Sequence, residues 1–335
     1  MEKKTVHLAD GIAQRFGMQD VSYNTSMMDA ESGYAFMISQ LNYLETRMLE
    51  TPYADIIFDQ LVPIDTAPNP GAMGVNYFSY DGRGVAAFAD VGATDLPTVS
   101  MDRQMHFAPF AYGGIAMEYT LDELRSCSML GINLQDTQAK LCFRTAKELQ
   151  QKTVLYGNQK LGMKGLFNNP LVPKATSAVD WADASADDII GDINAALNKV
   201  WVDSKQQYLP NTILIDTERY LRLQNTRLSQ YNDKTLLTYF KENNTYTSIT
   251  GQKIDIRSLA QLTPAELKAA KVKNDNKARM VVYARDPLYM TAYMPIAPRF
   301  IAPQQVGLRI RTPMEFKISG TEIKYPNAML YWEAK

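Results

Sequence analysis

The sequence predicts an α+β fold, on three observations. Apolar residues recur at helical spacing in several separated segments, while short runs such as Thr212–Ile215 and residues 280–283 read as buried strands. Residues 133–156 contain neither Gly nor Pro and predict one long helix, a rod of roughly 36 Å. Strand-like sequence returns near the C-terminus, at 304–335, after an α/β middle. A length of 335 residues corresponds to about two domains.

Residues 1–31 are polar and without a sustained period, and read as an extended arm. Over 32–50, Met37, Leu41, Leu44 and Met48 share one face of a 3.6-residue period, and Pro52 closes that helix. Residues 62–103 exclude a helix by their Gly and Pro density. Pro63, Pro68 and Pro70 come first. Two strand-like runs, 75–80 and 85–91, are then split by Asp81-Gly82-Arg83-Gly84, which predicts a hairpin turn. Two strands alone are marginal in water, so such a hairpin needs another surface.

Residues 104–120 read as strand, and Thr120 with Glu123 forms a capping box for a short helix. In the helix over 133–156, Leu134, Leu141, Ala146 and Leu149 make a broken apolar stripe. Lys140, Arg144, Lys147 and Lys152 mark the opposite face, and Gly157-Asn158 ends the helix.

Residues 166–302 read α/β. Ser185 caps a helix carrying Ile189, Ile193, Leu197 and Val200 on one face. A helix through Tyr220 and Leu223 follows the 212–215 strand, and another contains Leu236, Leu237 and Phe240. Residues 254–256 are strand. Thr263-Pro264-Ala265-Glu266 combines N-cap, first-position proline and capping-box Glu. Residues 280–283 and 289–294 are strands, Pro295, Pro298 and Pro303 mark a boundary, and Ser319-Gly320 predicts a turn.

Composition narrows the function. Charge is balanced, with 35 Lys and Arg against 36 Asp and Glu, which excludes a highly basic nucleic-acid coat and an acidic disordered tail. No apolar run approaches the ~18 residues that cross a membrane, and MEKKTVHLAD lacks the apolar core of a signal peptide. The protein is therefore expected to be soluble, with no membrane partner. Cys127 and Cys142 cannot build a disulfide scaffold and read as reduced and buried.

Little in the sequence points to catalysis. His7 and His106 are the only histidines; His106 sits in the apolar run QMHFAPF and reads as a packing or interface residue. No Cys or second His stands at metal-ligand spacing, and Gly82-Arg83-Gly84 lacks the context of a dinucleotide loop. Asp122-Glu123 and Asp187-Asp188 stand at helix starts, where the dipole favours them. No catalytic residue, metal or cofactor is expected.

The order of elements, with SGYAFMISQLNYLETRMLETPYADIIF, PIDTAPNPGAMGVNYFSYDGRGVAAFAD, LYGNQKLGMKGLFNNPLV and LPNTILIDTERYLRL, resembles the major capsid protein of tailed bacteriophages, whose fold encapsulins share. The resemblance runs over nearly the whole chain. It implies an N-terminal arm (1–31), a helix and connection (32–61) and an extended β-hairpin loop (62–103). It further implies a peripheral domain (104–165 and 303–335) with a long spine helix, and an α/β axial domain (166–302). It implies self-assembly into hexamers and pentamers of an icosahedral head enclosing double-stranded DNA without sequence specificity, assembled in the host bacterial cytoplasm. A portal and a decoration protein are partners it implies. No long helical segment precedes the arm, so either scaffolding is a separate protein or the chain is already processed, and the start at Met1 favours a separate scaffolding protein.

A shell subunit works by burying surface against its own copies. Tyr77, Phe78, Tyr80 and Phe88 are the expected aromatic anchors of the loop, and the 17 methionines suit variable packing environments. Residues 65–100 carry Asp65, Asp81, Asp90 and Asp95 against Arg83, while the spine helix carries Lys140, Arg144, Lys147 and Lys152 against Asp136 and Glu148. The acidic loop is therefore expected on the basic face of a neighbour's spine helix. Two rival readings are an encapsulin-type compartment enclosing an enzyme cargo, and an α/β hydrolytic enzyme using carboxylates in a pocket.

Overall fold

The computed structural model describes residues 4–5, 22–23, 56–86, 88, 98–123, 134–229, 232–272 and 277–335. The expected helix over 32–50, with Met37, Leu41, Leu44 and Met48, lies outside the described residues. So do His7, Asp90, Asp95 and Cys127. In the Met1–Asp55 unit, β1 (Lys4–Thr5) pairs antiparallel with β2 (Ser22–Tyr23).

The Ile56–Lys335 unit opens with α1 (Phe58–Leu61), β3 (Ile64–Asp65), β4 (Gly74–Arg83), β5 (Ser100–Thr120) and α2 (Leu134–Tyr156). Next come β6 (Lys174–Thr176), α3 (Ala186–Asp203), β7 (Thr212–Ile215), α4 (Thr217–Asn225), β8 (Arg227–Ser229) and β9 (Asn232–Thr235). α5 (Leu236–Glu242), α6 (Thr245–Thr250), β10 (Asp255–Ser258), α7 (Pro264–Ala269), β11 (Arg279–Tyr283) and β12 (Met290–Tyr293) follow. The chain closes with β13 (Ile296–Phe300), β14 (Gln304–Val306), β15 (Arg309–Ser319), β16 (Thr321–Ile323) and β17 (Met329–Glu333).

Five strands form a mixed sheet in the order β10-β7-β11-β17-β6. Its period of two sorts the side chains into two cores. Ile213, Ile215, Met280, Val282, Leu330 and Trp332 face one side and pack with Ile189, Ile193, Leu197 and Val200 of α3. Leu214, Val281, Tyr283, Met329 and Tyr331 face the other, against Ala146 and Leu155 of α2 and Leu61 of α1. The α3 stripe and its Ser185 cap match the sequence reading; Ser185 and Asp188 close a full capping box. Buried Asp192 of α3 accepts from Ser177 Oγ, Trp181 Nε1 and Trp332 Nε1 at 2.7, 2.8 and 3.2 Å, so its carboxylate is satisfied. The terminal strand does not stay with residues 304–319. It inserts between β11 and β6, and its Met329, Leu330, Tyr331 and Trp332 are all buried.

β5 is 21 residues long and is shared between two partners. Residues 110–120 pair with β15, itself flanked by β13 and β14. Residues 100–109 pair with β4 in an unbroken register from Gly74↔Pro109 to Arg83↔Ser100. This corrects the expected hairpin. Asp81, Gly82 and Arg83 continue the strand instead of turning, and the return strand is 100–109, not 85–91. Open space surrounds Gly82, so a glycine there is accommodated within the ladder without a turn. The ribbon is about 34 Å long.

The α2 stripe is also corrected. Cys142, Ala146, Gln150 and Thr153 form the buried face, whereas Leu141 and Leu149 are 55% and 51% exposed. Small residues turn inward over 142–153 because α2 lies close over β5, β15 and α1, while Val154 and Leu155 are buried at its end. At α7, Pro264 takes the first position as expected, but the Thr263 hydroxyl donates to the Ala260 carbonyl at 2.8 Å and caps nothing. The Thr120–Glu123 capping box forms, with bonds of 2.9 and 3.2 Å.

After α2 the chain doubles back. Gly157 ends the helix at φ +70, and a side chain there would overlap the Met163 carbonyl. A side chain on Gly165 would strike the backbone of Tyr156 and Gly157. This close approach lets Leu166 and Phe167 donate to Val154 and Leu155 at 3.0 and 2.9 Å, and lets Asn168 bond the Tyr156 carbonyl. Gly162 is also left-handed, at φ +67, but faces open space. Gly157→Ala and Gly165→Ala should each lower unfolding free energy by about 2 kcal/mol or more. Gly162→Ala should cost only the backbone part, about 1 kcal/mol. Urea denaturation of the three variants separates these outcomes.

Candidate assembly surfaces

Directly opposed residues of an antiparallel pair point to the same face, so the register divides the β4/β5 ribbon into two surfaces. One carries Phe78, Tyr80, Met101, Met105 and Phe107, exposed at 43, 59, 65, 64 and 55% respectively. Arg103 lies 3.6 Å over the Phe78 ring and 5.8 Å from that of Tyr80, covering apolar surface with its guanidinium plane. This is an aromatic and methionine face with no core of its own.

The other face is polar at the tip. Asp81 pairs with Arg83 at 3.4 Å and stands directly opposite Asp102. Two like charges in register disfavour the isolated ribbon and favour an external cation. Nearer the base, Ser79 Oγ and His106 Nε2 lie 2.9 Å apart and His106 stacks on Tyr77 at 5.1 Å, the packing role expected of it.

The structure divides the expected loop anchors. Phe78 and Tyr80 lie on the exposed aromatic face, and Phe88 is fully exposed. Tyr77 is on the opposite face, where its hydroxyl donates to Glu322 at 3.5 Å, so it anchors the ribbon to its own subunit. Asp81 and Arg83 neutralise one another. Sequence reading did not single out Met101, Arg103, Met105 and Phe107 as one surface. Their strict alternation was the available signal, hidden because the return strand was placed too early.

On α2, Lys140, Lys147 and Lys152 are exposed and Arg144 is half-buried, paired with Glu148 at 2.9 Å. All four lie on the outer half of the helix, with the exposed Leu141 and Leu149 among them. The structure therefore brings together a basic face and an apolar one on the same helix.

Carboxyls with shifted acidity have structural employment. Burial raises Asp216 despite its Arg219 partner, but Asp216 caps α4 through the Arg219 N–H and pairs with that guanidinium, both at 3.3 Å. Burial likewise raises Glu322, against the opposing pull of Lys164, the Tyr77 hydroxyl and His106. Burial of Tyr77 and the neighbouring Glu322 charge push its phenol up to about 12. Burial also raises the free Cys142 thiol. Among the described residues, no three His, Cys, Asp or Glu side chains converge as metal ligands and no helix is long and apolar enough to cross a membrane.

A two-core α/β body with a long helix and an extended ribbon is the architecture of phage-type shell subunits, and solved structures share it. The capsid of Myoviridae phage XM1 matches with 11% identity over 93% of this chain and 100% of that chain, at a TM-score of 0.73. A Mycobacterium phage Bobi structure matches with 15% identity over 92% of this chain and 99% of that chain, at 0.60. The capsid of a native GTA particle matches with 10% identity over 93% and 99%, at 0.59. At these identities the likeness is one of fold. No curated protein matches the chain. Residues 84–334 match the family described as Major capsid protein, and the chain belongs to that family. Its place is the virion capsid.

Because Glu322 has its pKa raised on folding, the stability associated with its neutral form is complete below the unfolded value and lost as pH rises through the folded one. Glu322→Gln should therefore be more stable than the parent at pH 7, and the advantage should vanish near pH 4. Denaturant midpoints at the two pH values test this.

Proposed function

We propose that this chain forms the hexameric and pentameric capsomers of an icosahedral phage head enclosing double-stranded DNA, and that it does so without catalysis. Assembly in the host cytoplasm around a separate scaffolding protein, with a portal and a decoration protein, belongs to the same reading. Residues 1–31 serve as arm and 62–103 as extended loop. Residues 104–165 and 303–328 form the peripheral domain, and 166–302 with the terminal strand form the axial domain. The observation that carries the proposal is the ribbon. A ribbon about 34 Å long, anchored at its base in the sheet and bearing five large apolar side chains exposed on one face, presents a surface that a partner would cover. In a self-assembling shell that partner is a second copy.

Near-neutral charge suits a container that DNA fills without sequence readout, so binding to free duplex should be weak and strongly salt-dependent. Sedimentation and electron microscopy of the chain coexpressed with its native neighbours test the reading. Closed particles tens of nanometres across are expected, with DNA or scaffold inside; enzyme cargo inside would instead indicate a cellular compartment. A monomer at every concentration under those conditions would reject the shell.

Two variants probe the surfaces. Phe78→Ser with Met105→Ser removes apolar contact from exposed positions, so subunit stability should stay within about 0.5 kcal/mol. Light scattering should show severalfold slower assembly. Reversing Asp81, Asp90 and Asp95 to Lys should slow assembly at low salt, with the difference shrinking as salt rises, because exposed pairs act on rate and register more than on stability. Parent-like assembly at low salt would remove the electrostatic pairing.

A further inference from the structure

In the mixed sheet β7, β10, β17 and β6 run in one direction and β11 runs against them. The carboxyl ends of the four strands therefore share one end of the sheet, and α4 starts there, directly after β7. Ligands of α/β sheets sit beyond the carboxyl ends of parallel strands. A groove of about 320 Å³ lies at this place, walled by the start of α4, Trp181 and Ala278. Two polar atoms of the residues lining it lack the hydrogen bond that burial demands. Arg219 Nη1 donates to nothing and Asp216 Oδ1 accepts nothing, although the two side chains are only 10 and 4% exposed. The rest of the pair is engaged. Asp216 Oδ2 accepts from the Arg219 N–H at 3.3 Å, Arg219 Nε stands 3.3 Å from Asp216 Oδ1, and Arg219 Nη2 donates to the Ala278 carbonyl at 3.4 Å.

A partner for this pair must offer an acceptor and a donor together. Charge narrows it further. Asp180, Asp216 and Glu218 line the groove against Arg219, Arg222 and Lys335, a balance that favours neither an anion nor a cation. Arg222 is already tied to the Ala182 and Ala184 carbonyls, at 2.7 and 3.4 Å. A carboxylate or phosphate offers acceptors and would meet the like charge of Asp216. An ammonium offers donors and would meet the like charge of Arg219. A trans peptide group points its C=O and N–H in opposite directions, so it cannot meet both atoms at once. A primary carboxamide carries the acceptor and the donor side by side on one end. Trp181 and Pro264 add apolar wall for the stem that would bear it.

We infer that the groove at the start of α4 is a binding site for a primary carboxamide, either the Asn or Gln side chain of an incoming peptide or a free small amide. Arg219 Nη1 donates to the carboxamide oxygen, and Asp216 Oδ1 accepts from its NH2 group. The site uses no residue of the ribbon or of α2, and so it does not depend on the shell reading.

Saturation-transfer NMR on the unassembled full-length chain tests this with acetyl-Gly-Gln-Gly N-methylamide, and with the same peptide carrying Glu or Met in place of Gln. The Gln peptide should bind about tenfold tighter than either. Asp216→Asn keeps a good N-cap but turns the unpaired acceptor into a donor, so preference should pass to the Glu peptide, whose carboxylate only accepts. Arg219→Lys keeps the charge and removes Nη1, and should bring the Gln and Met peptides within about twofold of each other. Denaturant midpoints check that each variant folds, and if one does not, the other decides. Free L-glutamine serves as competitor. Displacement of the peptide assigns the site to small amides and its failure assigns it to a polypeptide, and either result upholds a carboxamide site. Equal or absent binding of the three peptides by the parent leaves water as the partner of both atoms and overturns the proposal, as does an unchanged preference in Asp216→Asn.

Discussion

A single strand carries two incompatible environments. β5 has 21 residues; its second half is held by β15 within a sheet, and its first half has only β4 beside it. Continuity of the backbone forces the ribbon to follow the direction of the sheet that anchors it. Tyr77 and His106 stack at the junction and Tyr77 reaches Glu322, so the base is fixed while the outer residues are left to water. Without that anchoring half, a pair of strands bearing Phe78, Met105 and Phe107 would have no reason to remain ordered.

The same division between inner and outer runs through α2. Its buried face uses Cys142, Ala146 and Thr153, small side chains that allow close approach, and a buried Gln150. Val154 and Leu155 are buried at its C-terminal end, but Leu141 and Leu149 remain outside with the lysines, a departure from the usual amphipathic arrangement. A helix of this kind is not optimised for its own subunit. Its exposed Leu141 and Leu149 become intelligible once a second surface is allowed for, and membership of the major capsid protein family supplies copies of the chain to provide one.

Interior stability is assigned elsewhere. The five-stranded sheet separates its two cores by strand alternation, and β17 lies inside it between β11 and β6. Arg279 is buried between Glu333 and the Phe167 carbonyl, and Asp192 holds two tryptophans, one of them Trp332. Removing one partner of such a buried pair leaves a charge unpaired, at a cost of about 3–5 kcal/mol. The subunit therefore has a body tied by its terminal strand β17, and a ribbon that extends from it with one apolar face exposed.

The sequence by itself determined the local pieces. Thr212–Ile215 is the strand expected, the described residues 134–156 of the expected long helix are helical, Ser185 caps α3 as read, and the Thr120–Glu123 capping box forms. Periodicity, caps and breakers act over a few residues, and so they are legible in a few residues. The order of these pieces also sufficed to suggest the family. Tertiary structure alone decided which strand pairs with β4, which face of α2 is buried, and where β17 inserts. Each of those depends on partners dozens or hundreds of residues away, and neither Gly82 nor Leu141 carries a local mark of them. The aromatic face and the groove at Asp216 and Arg219 belong to this second class, since strand register and the shared ends of separate strands place distant residues side by side.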